Sequence, residues 1–261
     1  AIYSAAGYRV GCYTSPHLVR YNERIRIQRE PCPDAEICAA FARVEAARAD
    51  IPLTYFEFGT LAALDLFASA GLDLAILEGG FGGRLDAVNI VDPDLALITS
   101  IDLDHQDWLG PDRERIGGEK AGILRAGRPG VCGDCDPPES LLRRASELGA
   151  PLYCAERDFR WRRAPGGWQW EGPGSRRFGL PEPALRGDYQ LANGAAVLMV
   201  VELLANRLPV SQEAVRLGLQ TAVLPGRFQV IPGDVTLVLD VAHNPQAANA
   251  LAGNLRRLPP G

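Results

Sequence analysis

The chain has 261 residues, 47% of them hydrophobic and 23% charged, an ordinary globular composition that excludes extended disorder and suffices for one large domain, or one domain and part of another. Its 27 basic and 32 acidic residues leave a formal net charge of -5, so the overall field favours neither nucleic acid nor an anionic membrane, and a small metabolite is the better default partner. No apolar run approaches the roughly 20 residues of a membrane-spanning helix, and the opening "AIYSAAGYRVG" lacks a signal-peptide layout, so a cytoplasmic location with no membrane partner is expected.

The first residues read as the last turn of a helix with Gly7 as its C-cap, followed by a strand over 8–14, "YRVGCYT". That strand runs into "TSPHL", which puts the Ser15 hydroxyl near its carboxyl end. Helical patterns follow over about 34–49 and 57–70, then strands over 72–78, "LDLAILE", and 94–101, "DLALITSI". Continuous apolar strands separated by amphipathic helices predict a doubly wound α/β fold with a mostly parallel sheet covered on both faces. Ligands of such sheets bind beyond the carboxyl ends of the strands.

That rule sorts the polar residues. Glu78 arrives as the apolar run of 72–78 ends, and four glycines, Gly79, Gly80, Gly82 and Gly83, fall within the next five positions. The 94–101 strand delivers Asp102, Asp104 and His105 just past its own end. A hydroxyl, a carboxylate and an imidazole beside a loop lean in side chains make a cradle for a divalent ion that in turn holds phosphates, and Mg²⁺ needs few protein ligands. Each element alone has a plain structural reading: Ser15 as a cap, Glu78 as a partner for Arg84, the lone histidine as a structural residue. Lys120, in "EKAGILRAG", stands beside Glu119, and a surface ion pair is its ordinary explanation.

From about 133 to 190 the sequence becomes rich in Pro, Arg and Trp, and "FRWRRAPGGWQWEGPG" reads as a β-hairpin turning at Pro165-Gly166-Gly167. A basic stripe with interleaved aromatics can bind single-stranded nucleic acid, but a sheet packing one aromatic face suits the acidic net charge better. The six cysteines, Cys12, Cys32, Cys38, Cys132, Cys135 and Cys154, are scattered and read as reduced thiols. "CGDC", 132–135, has C-x-x-C spacing without a second pair or a histidine cluster, and reads as incidental loop thiols. Helical stretches over 187–208 and 211–222 precede "LPGRFQV", after which a new strand-loop-helix unit begins. The domains expected are therefore 1–224 and 225–261, and because both ends look cut the chain is expected to be a fragment.

Six ordered segments, "YTSPHLVRYNERIRI", "TYFEFGTLAAL", "LEGGFGGRLDAVNIV", "TSIDLDHQDWLGPDRERIGGEKAGI", "LPGRFQ" and "LDVAHNP", together resemble the bacterial bifunctional dihydrofolate synthase/folylpolyglutamate synthases of the Mur ligase superfamily. Only 133–190 matches loosely. The resemblance implies a P-loop NTPase-like central ligase domain and the start of a Rossmann-like second one. It implies Mg²⁺ bound by Ser15, Glu78 and His105, the trio the strand ends select, with Lys120, carbamylated in relatives, and His105 as catalytic residues. It places Thr54, Tyr55, Phe56 and Glu57 with Leu85, Asp86 and Ala87 at the pterin, and Asn193, Arg227, Asp240 and His243 at the nucleotide; Asp240 also ends a strand. The activity implied is ATP-dependent amide formation through an acyl phosphate, joining L-glutamate to dihydropteroate and further glutamates to reduced folates, by a monomer. The family's glycine-rich loop ending in G-K-[ST] does not occur in these residues and is expected just upstream of Ala1, so the chain as written is not expected to turn over. Two other readings stand beside this one: a Mur-type ligase acting on a different carboxylate, and a non-catalytic module that holds pterin or nucleotide.

Overall fold

Each parallel pair of strands has a helix in its connection, and the antiparallel pairs join strands consecutive in the chain. A computed structural model describes residues 1–102, 110 and 112–256, and the chain divides into two compact units, Tyr3–Asp92 and Pro93–Gly261.

A short helix, α1 (Ile2–Ala5), ends at Gly7, whose φ of 90° suits the expected cap. In the first unit β1 (Val10–Tyr13), β2 (Ile25–Ile27), β3 (Glu30–Pro31) and β4 (Leu74–Leu77) form a sheet in the order β3-β2-β1-β4. β1 runs parallel to β4, with Tyr13 opposite Leu77, and antiparallel to β2. The connection to β4 contains α2 (Asp34–Arg48) and α3 (Tyr55–Ser69). α3 buries Gly59, Ala62, Ala63, Leu66 and Phe67, the three-and-four spacing of one helix face. These pack with Tyr13, Ile25, Ile37, Ala40 and Val44 in one core, where a fully buried side chain such as Ile25 contributes about 1.5–3 kcal/mol. At Gly11 on β1 the ends of the Leu72 and Phe67 side chains pack against bare backbone, where a Cβ would press on both.

In the second unit β5 (Ala96–Ile98), β6 (Gly130–Cys132) and β7 (Leu152–Cys154) are parallel, with Ile98 opposite Cys132 and Cys132 opposite Cys154. Between them lie α4 (Arg113–Lys120) and α5 (Glu139–Glu147), so β5 to β7 are two consecutive β-α-β steps. The predicted hairpin, β8 (Arg160–Ala164) and β9 (Gly167–Glu171), is joined by a third strand, β10 (Arg176–Leu180), that the sequence reading did not anticipate. Alternate residues of β9 turn Trp168 and Trp170 inward onto α6 (Asp188–Leu203), and their indole N–H groups donate to the carbonyls of Pro181 at 2.8 Å and Ala195 at 3.0 Å. Arg160 and Arg176 pair with Glu171, and Arg163 with Glu182 and Asp188. The basic stripe is thus largely spent on ion pairs, and the aromatic face is core. α7 (Gln212–Gln220), the hairpin of β11 (Gln229–Ile231) and β12 (Leu237–Leu239), and α8 (Pro245–Leu255) complete the described elements. Among the described residues no helix is long and apolar enough to cross a membrane.

One expectation needs correcting. Cys132 is not a loop thiol: it closes β6 and is fully buried, while Cys135 is exposed, so the two sulfurs of the C-x-x-C sequence face different environments. The thiol partner of Cys132 is Cys154 on the neighbouring strand, and that hydrogen bond, with burial, raises the pKa of Cys132.

Candidate functional site

The parallel register of β1 and β4 brings their carboxyl ends to one edge. Glu78, one residue past β4, donates its N–H to the Tyr13 carbonyl at 2.9 Å, and its own Oε2 accepts the Ser15 N–H at 2.9 Å. Two of the three predicted metal ligands, 63 positions apart in the chain, therefore sit side by side. The exposed Glu78 carboxylate and the half-buried Ser15 present oxygen donors, which suit a hard cation such as Mg²⁺ better than a soft one. His105 and Asp104 lie outside the described residues. Among the described residues no group of three or more His, Cys, Asp or Glu gathers to hold a metal.

The glycine loop is explained by what packs on it. A Cβ at Gly80 would stand 2.7 Å from Cζ of Phe56, so the bare backbone seats that ring, which stacks in turn on Tyr13 with centroids 5.9 Å apart. Gly82 has a φ of 67°. Asp86 fixes the loop from the other side: its Oδ2 accepts the Phe81 N–H at 2.8 Å and its Oδ1 the Val88 N–H at 2.9 Å, capping the 3-10 turn Ala87–Ile90. Of the residues expected at the pterin, Phe56 and Asp86 are thus both held against the glycine loop. Leu85 and Tyr55 are exposed, and Ala87 is half-buried.

Thr54 and Glu57 face each other. Glu57 Oε2 accepts the Thr54 N–H and hydroxyl, each at 2.7 Å, and Glu57 N–H donates to Thr54 Oγ1 at 3.3 Å. This is a capping box at the start of α3, and T-x-x-E before an apolar run is its sequence signature. The Thr54 backbone N–H, followed by its hydroxyl, holds the Glu57 carboxyl below its ordinary pKa.

Sequence reasoning missed the device behind "SPHLVRYNER". Glu23 folds back onto the loop before it: Oε2 accepts the Leu18 N–H at 2.8 Å, and Oε1 accepts Val19 at 2.9 Å and Arg20 at 2.7 Å. These backbone donors, Arg20 and Leu18 foremost, pull its pKa down to about 2. Next to it, Arg24 is buried; its Nε donates to His17 Nδ1 at 2.8 Å, and its guanidinium lies 5.7 Å and 5.5 Å from the ring centroids of Tyr21 and Tyr55. The signal available was a glutamate, Glu23, just after a loop whose N–H groups had no strand or helix to bond.

In the second unit Lys120 is the last residue of α4 and is half-buried. At the end of β12, Asp240 accepts the Phe228 N–H at 2.7 Å through Oδ2 and the Ala242 N–H at 2.8 Å through Oδ1, while Val241 N–H donates to the Gly226 carbonyl at 2.8 Å. Asp240 and the Val241 N–H together thereby fix the backbone on either side of the exposed Arg227, whose guanidinium forms no ion pair among the described residues. His243 is exposed, with Nδ1 2.9 Å from the Val241 carbonyl oxygen. Three of the four residues expected at a nucleotide are therefore gathered at this hairpin. Asn193, exposed on α6, bonds Gln190 of its own helix at 3.3 Å.

No family model matches the chain. It is 48% identical to the dihydrofolate synthase/folylpolyglutamate synthase of Escherichia coli K12 over 99% of its own length and 60% of that protein. The solved structure of E. coli FolC in complex with DHPP and ADP superposes with a TM-score of 0.93 at 47% identity, over 100% of this chain and 61% of the other. The apo form of L. casei FPGS superposes with a TM-score of 0.91 at 32% identity, over 100% of this chain and 67% of the other. The chain spans about 60% of the length of the first of these relatives.

Proposed function

Because the chain belongs to the dihydrofolate synthase/folylpolyglutamate synthase family, we propose that the protein carrying it is an ATP-dependent ligase that joins L-glutamate to dihydropteroate and adds further glutamates to reduced folates. The observation that carries the proposal is the pairing of Ser15 with Glu78 at the carboxyl ends of two parallel strands, beside the glycine loop that seats Phe56. Related structures hold DHPP and ADP in one case and Mn, AMPPNP and L-glutamate in another, ligands of the kinds this reading requires.

In this reading Ser15 and Glu78 supply oxygen ligands to Mg²⁺, with His105 as the third donor that the family pattern implies. When bound, the ion offsets negative charge on the phosphate oxygens. Arg227 grips phosphate oxygens through its planar fork, and Asp240 holds that arginine's backbone in place. His243 and Asn193 complete the nucleotide contacts, and Lys120 stands at the phosphoryl-transfer end. Phe56 and Tyr55, with the loop Leu85 to Ala87, face the pterin, while Thr54 and Glu57 hold the helix end that presents those rings. The substrate carboxylate attacks the γ-phosphorus, ADP leaves, and the glutamate amine then displaces phosphate from the acyl phosphate. Residues 225–261 open a second domain, and the protein works as a monomer in the cytoplasm.

The test is phosphate release with Mg²⁺ and ATP by the protein that carries this chain. Release should require dihydropteroate and L-glutamate together, and Glu78→Ala should abolish it while leaving the fold intact. Phosphate release indifferent to dihydropteroate would reject the substrate, and unfolding of the Glu78→Ala protein would make that residue structural.

A further inference from the structure

The motif the proposed site leaves over is "CGDC", 132–135, and the residue in it that the fold uses most is Asp134. Only 8% exposed, its carboxylate accepts three hydrogen bonds: Ile101 N–H at 2.7 Å and Arg113 Nη2 at 3.1 Å on Oδ2, and Asp136 N–H at 2.9 Å on Oδ1. Arg113 donates three more, from Nε to the Ile101 carbonyl at 2.9 Å, from Nη2 to the Asp136 carbonyl at 2.7 Å and from Nη1 to Asp136 Oδ2 at 3.2 Å. Both polar backbone groups of Ile101 are thereby held by this one pair.

Burying the Asp134 carboxylate costs desolvation that its attraction to the half-buried Arg113 only roughly recovers, so apolar packing would brace the fold as well. What the pair adds is direction, because a planar fork on fixed acceptors sets angle and register together. The segments it joins matter. Ile101 leads out of β5 to Asp102, and Arg113 is the first residue of α4, whose last residue is Lys120. Since Ile98 lies opposite Cys132 in the parallel pair, Ile101 and Asp134 both stand beyond carboxyl strand ends, where ligands of such sheets bind.

The helix is fastened a second time. Glu114 accepts the Glu139 N–H at 2.9 Å and the Ser140 N–H at 2.8 Å, and Ser140 Oγ donates to the Glu114 carbonyl at 2.6 Å. At Gly117 a Cβ would stand 2.9 Å from Pro138. α4 can neither slide nor rotate without breaking one of these contacts.

We propose that Asp134 and Arg113 are positioning residues that hold Asp102 and Lys120 in fixed register at the phosphoryl-transfer end of the site. The inference rests on the ligase reading above. Its test compares Asp134→Asn and Arg113→Lys with the unaltered protein by amide exchange at Ile101 and by steady-state kinetics. Asp134→Asn should speed exchange at Ile101 at least tenfold and lower kcat at least tenfold, with KM for dihydropteroate within twofold. Arg113→Lys, which keeps the charge but not the fork, should lower kcat threefold to tenfold, and it carries the test if the first variant does not fold. A kcat within twofold of the unaltered value alongside faster exchange at Ile101 would make the pair a strut only and overturn the proposal. Failure of the unaltered protein to show dihydropteroate-dependent phosphate release would instead overturn the ligase reading, and this inference with it.

Discussion

Replacing Glu23 with glutamine should destabilise the protein in a way that depends on pH. Three backbone N–H groups, of Leu18, Val19 and Arg20, donate to the Glu23 carboxylate at 2.7–2.9 Å, and they hold its pKa at about 2 against an ordinary 4.5. At ~1.36 kcal/mol per pH unit that gap is worth at most ~3.4 kcal/mol. The carboxylate lies near solvent, where screening weakens such bonds, so about 1–2 kcal/mol is the expected contribution. Because the folded pKa is the lower one, the stabilisation is present in full above pH 4.5 and is lost as the pH falls from there through 2. Urea unfolding of the unaltered chain and of Glu23→Gln at intervals between pH 7 and pH 2.5 measures the difference directly. It should be about 1–2 kcal/mol at pH 7 and shrink steadily below pH 4.5. A difference that stays constant down to pH 2.5 would refute the reasoning, since it would then come from packing and not from the charge.

Gly80→Ala should cost about 1–3 kcal/mol in denaturant unfolding, because the new methyl would stand 2.7 Å from the Phe56 ring; a cost below ~0.5 kcal/mol would show that the ring swings aside freely. Asp240→Ala frees the Phe228 and Ala242 amides and should weaken ADP binding, measured calorimetrically, by about tenfold, the equivalent of ~1.4 kcal/mol. Unchanged ADP affinity in that variant would separate the hairpin from the nucleotide.

The parts of the molecule legible in the sequence were those governed by short-range pattern. The apolar runs ending at Tyr13, Leu77 and Ile98 announced parallel strands, and the polarity change after each located Ser15, Glu78 and Asp102. β10 escaped because "RRFGL" has little apolar alternation and depends on β9 for its pairing, with a register shift between Arg177 and Leu180. Thr54 and Glu57 show a different limit. Their i, i+3 spacing ahead of the apolar run of α3 spells a capping box, and the same residues lie in the family motif, so one short pattern carries two readings. The remaining features join distant positions, and no local pattern encodes which acceptor a half-buried guanidinium will meet. Arg113 finds Asp134 21 positions away, and Ile101 finds it 33 positions away. What sequence could have supplied is the demand and not the partner: the backbone leaving β5 has lost its strand neighbours, and every buried N–H there must still find an acceptor. Asp134, one residue beyond the equivalent exit of β6 at Gly133, is the acceptor the parallel register brings within reach.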